Sequence, residues 1–140
     1  MKQQKIIGYT TGVFDLFHIG HLNLLRKAKE KCDWLIVGVC TDDLVRVLKD
    51  RDPVIPYEER VEIVKNISCV DEVVPQEKID EIGDFQRLHF DVMFKGDDWK
   101  DTNKWNRLEK EFKDLGVEVI YFTYTKHISS TKLRNLLDLM

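Results

Sequence analysis

Long apolar runs are missing from this sequence. The longest, Trp34 to Cys40, falls far short of the roughly 18–20 residues that a membrane helix requires. Cysteine is scarce as well. Cys32, Cys40 and Cys69 form an odd set without C-x-x-C spacing, which excludes a disulfide framework and a zinc ribbon. There is no excess of charge of one sign: 22 basic residues face 25 acidic ones, for a net charge of −3, and neither sign runs on. Duplex nucleic acid and an anionic membrane are therefore poor bulk partners. Internal repeats, low-complexity tracts and Pro/Gly-rich linkers are absent, so one domain is expected over residues 1–140. Met1 to Lys5 leads into strand-like sequence without an apolar leader segment, and reduced thiols in a cytoplasmic protein are the expectation.

What is present is a regular alternation of two periodicities. With 43% hydrophobic residues in 140, the chain has enough apolar material for a core that needs no staples. Lys5–Thr11 and Trp34–Thr41 read as strands buried on both faces, because they are short, β-branched and almost wholly apolar. Between them Leu22, Leu25, Ala28 and Cys32 recur at helical spacing. Pro56 opens a helix to about Asn66, with Glu58 and Glu59 in its first turn and Tyr57, Val61 and Val64 inward. A strand at Glu72–Val74, a weaker helix near Asp80–Leu88 and a strand at Val92–Lys95 follow. Trp105, Leu108, Phe112 and Leu115 mark a helix ended by Gly116, then come a strand at Val117–Phe122 and a helix at Thr131–Leu139. The pattern predicts an α/β fold: a doubly wound, Rossmann-like domain with a mainly parallel five-stranded sheet.

Ligands in such folds bind beyond the carboxyl ends of the strands. The unusual residues fall there, in four expected loops, Gly12–His21, Thr41–Arg51, Gly96–Trp99 and Tyr124–Thr131, that converge on one edge of the sheet. His18 and His21 stand three apart at a helix start, where they can cap the helix, bind zinc, or hold an anion beside the backbone N–H groups and the Gly20 approach. Zinc wants third and fourth ligands that no nearby residue supplies, and no protein metal ligand is assigned. Lys49 and Arg51 suit either a solvated turn or an anion. Arg60 can pair with Glu59 or Glu62 on its own helix. Gly96-Asp97-Asp98-Trp99 suits a ribose, a base edge, a hydrated magnesium ion or a plain capping turn. Ser129, Ser130 and Thr131 place three hydroxyls before the last helix, where capping alone needs one. Lys126, His127, Lys132 and Arg134 make that segment locally basic.

Taken together, these segments resemble a known family. Gly12-Val13-Phe14-Asp15-Leu16-Phe17-His18-Ile19-Gly20-His21 is similar to the G-x-F-D-L-x-H-x-G-H signature of the cytidylyltransferases, within the HxGH nucleotidyltransferase superfamily. Pro53–Val74 resembles the family's E-x-R and V-D-E-V-V stretch, Phe94-Lys95-Gly96-Asp97-Asp98-Trp99 the G-D-D-W of the glycerol-3-phosphate enzymes, and Ile128–Thr131 their I-S-T-T. The resemblance spans nearly the whole chain. It implies transfer of CMP from CTP to a small phosphorylated alcohol, with magnesium accompanying CTP and a homodimer as the common assembly. Catalytic roles fall on His18, His21 and Lys49. Nucleotide contacts fall on Gly12, Val13, Phe14, Asp15, Gly20, Arg51, Gly96, Asp97, Asp98, Tyr124, His127, Ile128, Ser129, Ser130 and Thr131. Substrate contacts fall on Lys49, Arg60 and Lys78.

The chain departs from the family pattern at Tyr124, where an arginine is usual, at His127, where a glycine is usual, and at Lys78, which is out of register with the acceptor lysine. I-S-S-T also resembles the adenylyltransferases of this fold. An ATP-dependent adenylyltransferase and a nucleotide-binding module without turnover are the alternatives. A class I aminoacyl-tRNA synthetase shares His18-Ile19-Gly20-His21 but needs tRNA-binding domains for which 140 residues leave no room.

Overall fold

The computed structural model describes residues 5–123 and 129–139. Five strands alternate with helices along the chain: β1 (Ile7–Gly12), α1 (Ile19–Glu30), β2 (Trp34–Cys40), α2 (Asp42–Lys49), α3 (Tyr57–Lys65), β3 (Glu72–Gln76), α4 (Glu81–Leu88), β4 (Val92–Gly96), α5 (Asn103–Asp114), β5 (Glu118–Phe122) and α6 (Ser130–Asp138). The sheet order is β3-β2-β1-β4-β5, and every neighbouring pair is parallel. The doubly wound α/β expectation holds, with the sheet parallel throughout. Strand order reverses between β1 and β4, so a crevice opens beyond their carboxyl ends.

Period-two alternation sends side chains to two cores. Leu35, Val37 and Val39 of β2, with Phe94 of β4, pack on Leu25 and Ala28 of α1 and Val64 of α3. Ile36 of β2, Tyr9 of β1 and Met93 of β4 pack on Trp105, Leu108 and Phe112 of α5, with Ile82 and Phe85 of α4 alongside. Tyr57 and Val61 sit at the edge of the first core, as the helical spacing predicts. Gly38 lies on the second face because Tyr9 fills the room beside it: a Cβ there would come within 2.7 Å of the Tyr9 hydroxyl oxygen. Gly116 follows α5 at φ +81°, the left-handed conformation that ends the helix without a Cβ clash.

Three local expectations need correction. Thr41–Arg51 is not a loop. Thr41 accepts a hydrogen bond from the Leu44 N–H and caps α2, whose first turn carries Asp42 and Asp43. Leu44 and Val45 pack with Cys40 in a small third cluster, which turns the segment into a helix. β3 runs on to Gln76 because Cys40 and Gln76 pair across the sheet, and Pro75 is tolerated because β3 is an edge strand. Leu115 is 47% exposed and stands outside the core that Trp105, Leu108 and Phe112 enter.

Candidate active site at the strand ends

β1 leads into the site through a tight loop. Phe14 and Leu16 both adopt positive φ, at 55° and 51°, which is unfavourable for bulky side chains and persists only where the surroundings enforce it. The Phe14 ring is buried in the core below. The Asp15 carboxylate, 2% exposed, accepts the backbone N–H groups of Val54 and Ile55 at 2.8 and 2.9 Å and pairs with the Arg134 guanidinium. Asp15 therefore ties the β1 loop, the 53–56 turn and α6 together, and its oxygens are already engaged.

α1 then starts with a reciprocal cap. His18 Nδ1 accepts the Gly20 N–H at 3.0 Å, and His21 Nδ1 accepts the His18 N–H at 3.1 Å. The two rings stack at 4.0 Å. Capping is thus one role of these histidines. It also assigns the neutral His21 tautomer, because an acceptor Nδ1 leaves the proton on Nε2. That nitrogen lies 3.4 Å from Ser130 Oγ, whose own proton goes to the Asp15 carbonyl at 2.6 Å. The rings of Phe14 and Phe17, 5.5 and 5.2 Å away, enclose His21. Burial, and then the neighbouring His18, push its pKa down to about 4, against a smaller upward pull from Asp15. At neutral pH the His21 imidazole is an uncharged donor.

Two helices bring positive ends to this point. Neither α1 nor α6 carries an acidic residue in its first turn, unlike α2, α3 and α4. With no carboxylate competing in either first turn, the N–H groups that the caps do not take and the dipole of each suit an external anion. Ser129 accepts the Lys132 N–H at 3.0 Å and caps α6, while Ser130 turns toward His21.

A cavity of about 660 Å³ lies over the carboxyl ends of the strands. Of the residues singled out in the sequence, Gly12, Val13, Phe14, Asp15, His21, Lys49, Gly96, Asp98 and Ser130 line it. His18 is not among the lining residues; it stacks on His21, which is. Gly20, Asp97, Ser129 and Thr131 flank the lining residues, whereas Arg51 and Lys78 are exposed and stand off the wall. Tyr124, His127 and Ile128 lie outside the described residues. The Arg60 assignment needs correction. Its side chain is 0% exposed, bonding to the carbonyls of Ile55, Val13 and Cys40 at 2.7–2.8 Å and to Asp42 at 2.7 Å, not to Glu59 or Glu62. With four interior partners it holds the ends of β1 and β2 in place and does not reach a substrate.

Several wall residues receive no site role from the sequence. Gln76, Glu81, Lys95, Lys104 and Trp105 line the far side. The one sequence signal is Lys95 itself, a charge ending the apolar run Val92-Met93-Phe94 just before Gly96. Among the described residues no group of three or more His, Cys, Asp or Glu side chains could hold a metal ion. Asp98 and Glu81 are the cavity carboxylates besides Asp15. This donor set fits a magnesium ion that arrives bound to phosphate oxygens, and does not form a protein cage. Among the described residues no helix is long and apolar enough to cross a membrane. Cys32, Cys40 and Cys69 are free thiols.

The chain is similar to known proteins in sequence and in fold. The chain is 40% identical over 132 residues to the glycerol-3-phosphate cytidylyltransferase of Bacillus spizizenii, covering 94% of this chain and 95% of that one. It is 42% identical over 100 residues to the bifunctional protein HldE of Helicobacter pylori, covering 71% of this chain and 22% of that protein. Its fold matches the crystal structure of a lipopolysaccharide core biosynthesis protein from Thermoplasma volcanium with a TM-score of 0.74 and 25% identity, over 87% of this chain and all of that one. The Cytidylyltransferase-like family model matches residues 9–136. That match covers most of the chain, including the paired histidines and the start of the last helix, and the chain belongs to the cytidylyltransferase-like family.

Proposed function

We propose that this enzyme transfers CMP from CTP to the phosphate of a small alcohol, glycerol 3-phosphate or a related polyol or amino-alcohol phosphate. An acceptor phosphate oxygen forms the new bond to the α-phosphorus, the bond from that phosphorus to the β-phosphate bridging oxygen breaks, and pyrophosphate leaves. The observation that supports this most is the convergence of two helix N-termini without first-turn carboxylates, α1 and α6, on the neutral His21 and on Ser130 at one cavity wall. Such a wall suits the triphosphate. The N–H groups and His21 Nε2 donate to oxygens on which charge builds as the leaving group departs, and positioning does much of the rest. Lys49, at the cavity edge, supplies a mobile cation, and Gly96 and Asp98 face the nucleoside. Magnesium, carried in on CTP, would neutralise phosphate charge beside Asp98. A homodimer belongs to the same reading, on family grounds.

The test is pyrophosphate release with CTP and with ATP across a panel of phosphorylated alcohols. Release with CTP and glycerol 3-phosphate or a near relative is expected. Release with ATP alone would replace this reading by an adenylyltransferase, which the Ser129-Ser130-Thr131 run favours. CTP binding without release for any acceptor would mark a nucleotide-binding module.

A further inference from the structure

The wall of the cavity facing away from α1 holds a cation that the proposed triphosphate site does not use. Lys95 shares the β4 face of Met93 by strand alternation, so it enters the cavity from the α4/α5 side of the sheet, whereas His21 enters from the α1 side. Its Nζ sits over the rings of Trp99 and Trp105, at 5.3 and 5.2 Å. Among the described residues no carboxylate lies within ion-pair distance of it. Glu81, on the same wall, is bound to Lys104 at 2.9 Å. Gln76, on β3 and lining the same cavity, accepts a hydrogen bond from Cys40 Sγ at 3.2 Å through its amide oxygen, which leaves its amide N–H groups as donors. Among the described residues this half-buried ammonium, set over two aromatic faces at the cavity wall, has no hydrogen-bond acceptor, so its N–H groups are open to an anion in the cavity. Burial accordingly depresses its pKa, the field of Glu81 opposing that.

The reaction calls for such an anion site. A phosphate monoester attacking a triphosphate is repelled by it, and in-line displacement puts the attacking oxygen on the side of the α-phosphorus opposite the leaving pyrophosphate. With pyrophosphate at α1 and α6, the acceptor phosphate belongs on the far wall. Lys78, the lysine of the segment before α4, is exposed and stands off that wall. We propose that Lys95, assisted by Gln76, binds the acceptor's phosphate group and so selects phosphorylated over free alcohols. The apolar rim of Leu48, Ile79 and Trp99 is left to cover the short carbon chain. This assignment rests on reading the cavity as a nucleotidyl-transfer site.

The experiment is calorimetric titration of glycerol 3-phosphate, ribitol 5-phosphate, phosphoethanolamine and unphosphorylated glycerol into wild type, Lys95→Met and Lys95→Arg, with a non-hydrolysable CTP analogue present and titrated separately. Wild type should bind at least one monoester and not glycerol. Lys95→Met should weaken that monoester by roughly 10-fold or more, the scale of hydrogen bonds to a charged group, and change analogue affinity less than about 3-fold. Lys95→Arg should retain most of the affinity. Lys95→Gln gives the same comparison if the methionine variant does not fold. Unchanged monoester binding in these variants, a loss confined to the nucleotide, or no monoester bound by wild type would each overturn the proposal. Failure of the CTP reading looks different: wild type then releases pyrophosphate with ATP alone, while the Lys95 effect on monoester binding persists.

Discussion

His21 divides two duties between its two ring nitrogens. Nδ1 accepts the His18 N–H and secures the start of α1, while Nε2 faces Ser130 and the cavity. A substitution that removes both confuses stability with chemistry. His21→Asn separates them, because the asparagine oxygen stands near the Nδ1 position and keeps the cap while the Nε2 donor is lost. Its kcat should fall by about 10²–10³-fold, the scale of one transition-state donor, with stability reduced by less than about 1 kcal/mol. His21→Ala should lose both. Near wild-type turnover in the asparagine variant would remove His21 from catalysis. The ring also reports ligand binding: its pKa, about 4 in the free protein, should rise by more than one unit when a triphosphate supplies negative charge beside Nε2, as followed by proton NMR.

The segment from β2 to α3 shows what side chains do for elements. α2 was within reach of the sequence: Thr41, Asp42 and Asp43 make an N-terminal signature, and Leu44, Val45 and Leu48 follow at helical spacing. It reads as a loop because Lys49 and Arg51 invite attention to charge, and eight residues carry only a short period. Arg60 was misleading for the opposite reason. An arginine between glutamates on a helix implies a solvated face, yet α3 turns it inward to four interior acceptors. Arg60→Met should destabilise the protein by about 3–5 kcal/mol, since Asp42 and three carbonyls lose their donor together. Urea unfolding measures it. A loss below about 1 kcal/mol would mean that the bond network contributes little.

At the scale of the whole molecule, burial of a neutral histidine links the site to acid stability. The His21 pKa is lower in the folded chain, about 4, than the unfolded value of 6.5. The unfolded chain therefore binds the extra proton between those values, and stability present above pH 6.5 is lost as pH falls toward 4. The loss is on the order of 3 kcal/mol once both forms are protonated. Asp71, held below the usual carboxylate range by Lys29 and the Leu35 N–H in spite of its burial, adds loss in the same direction at lower pH. Thermal melts from pH 7.5 to 4 should show the decline, and His21→Asn should flatten it over this range. An equal slope in that variant would assign the acid sensitivity elsewhere.

The sequence by itself determined the alternation of strands and helices, the parallel sheet, and the two segments, Gly12 to His21 and Ser129 to Thr131, that bring Gly12–Asp15, His21 and Ser130 to the cavity wall. These rest on local periodicity and on contiguous motifs, which a linear reading can hold. Tertiary structure alone decided which charges reach the cavity. Arg60 went inside and Lys78 outside, while Lys95 and Gln76, from strands on either side of β1 and β2, came to one wall with Lys104 and Trp105 of α5. Their meeting depends on strand order and register across more than half the chain, and no short window of sequence contains that information.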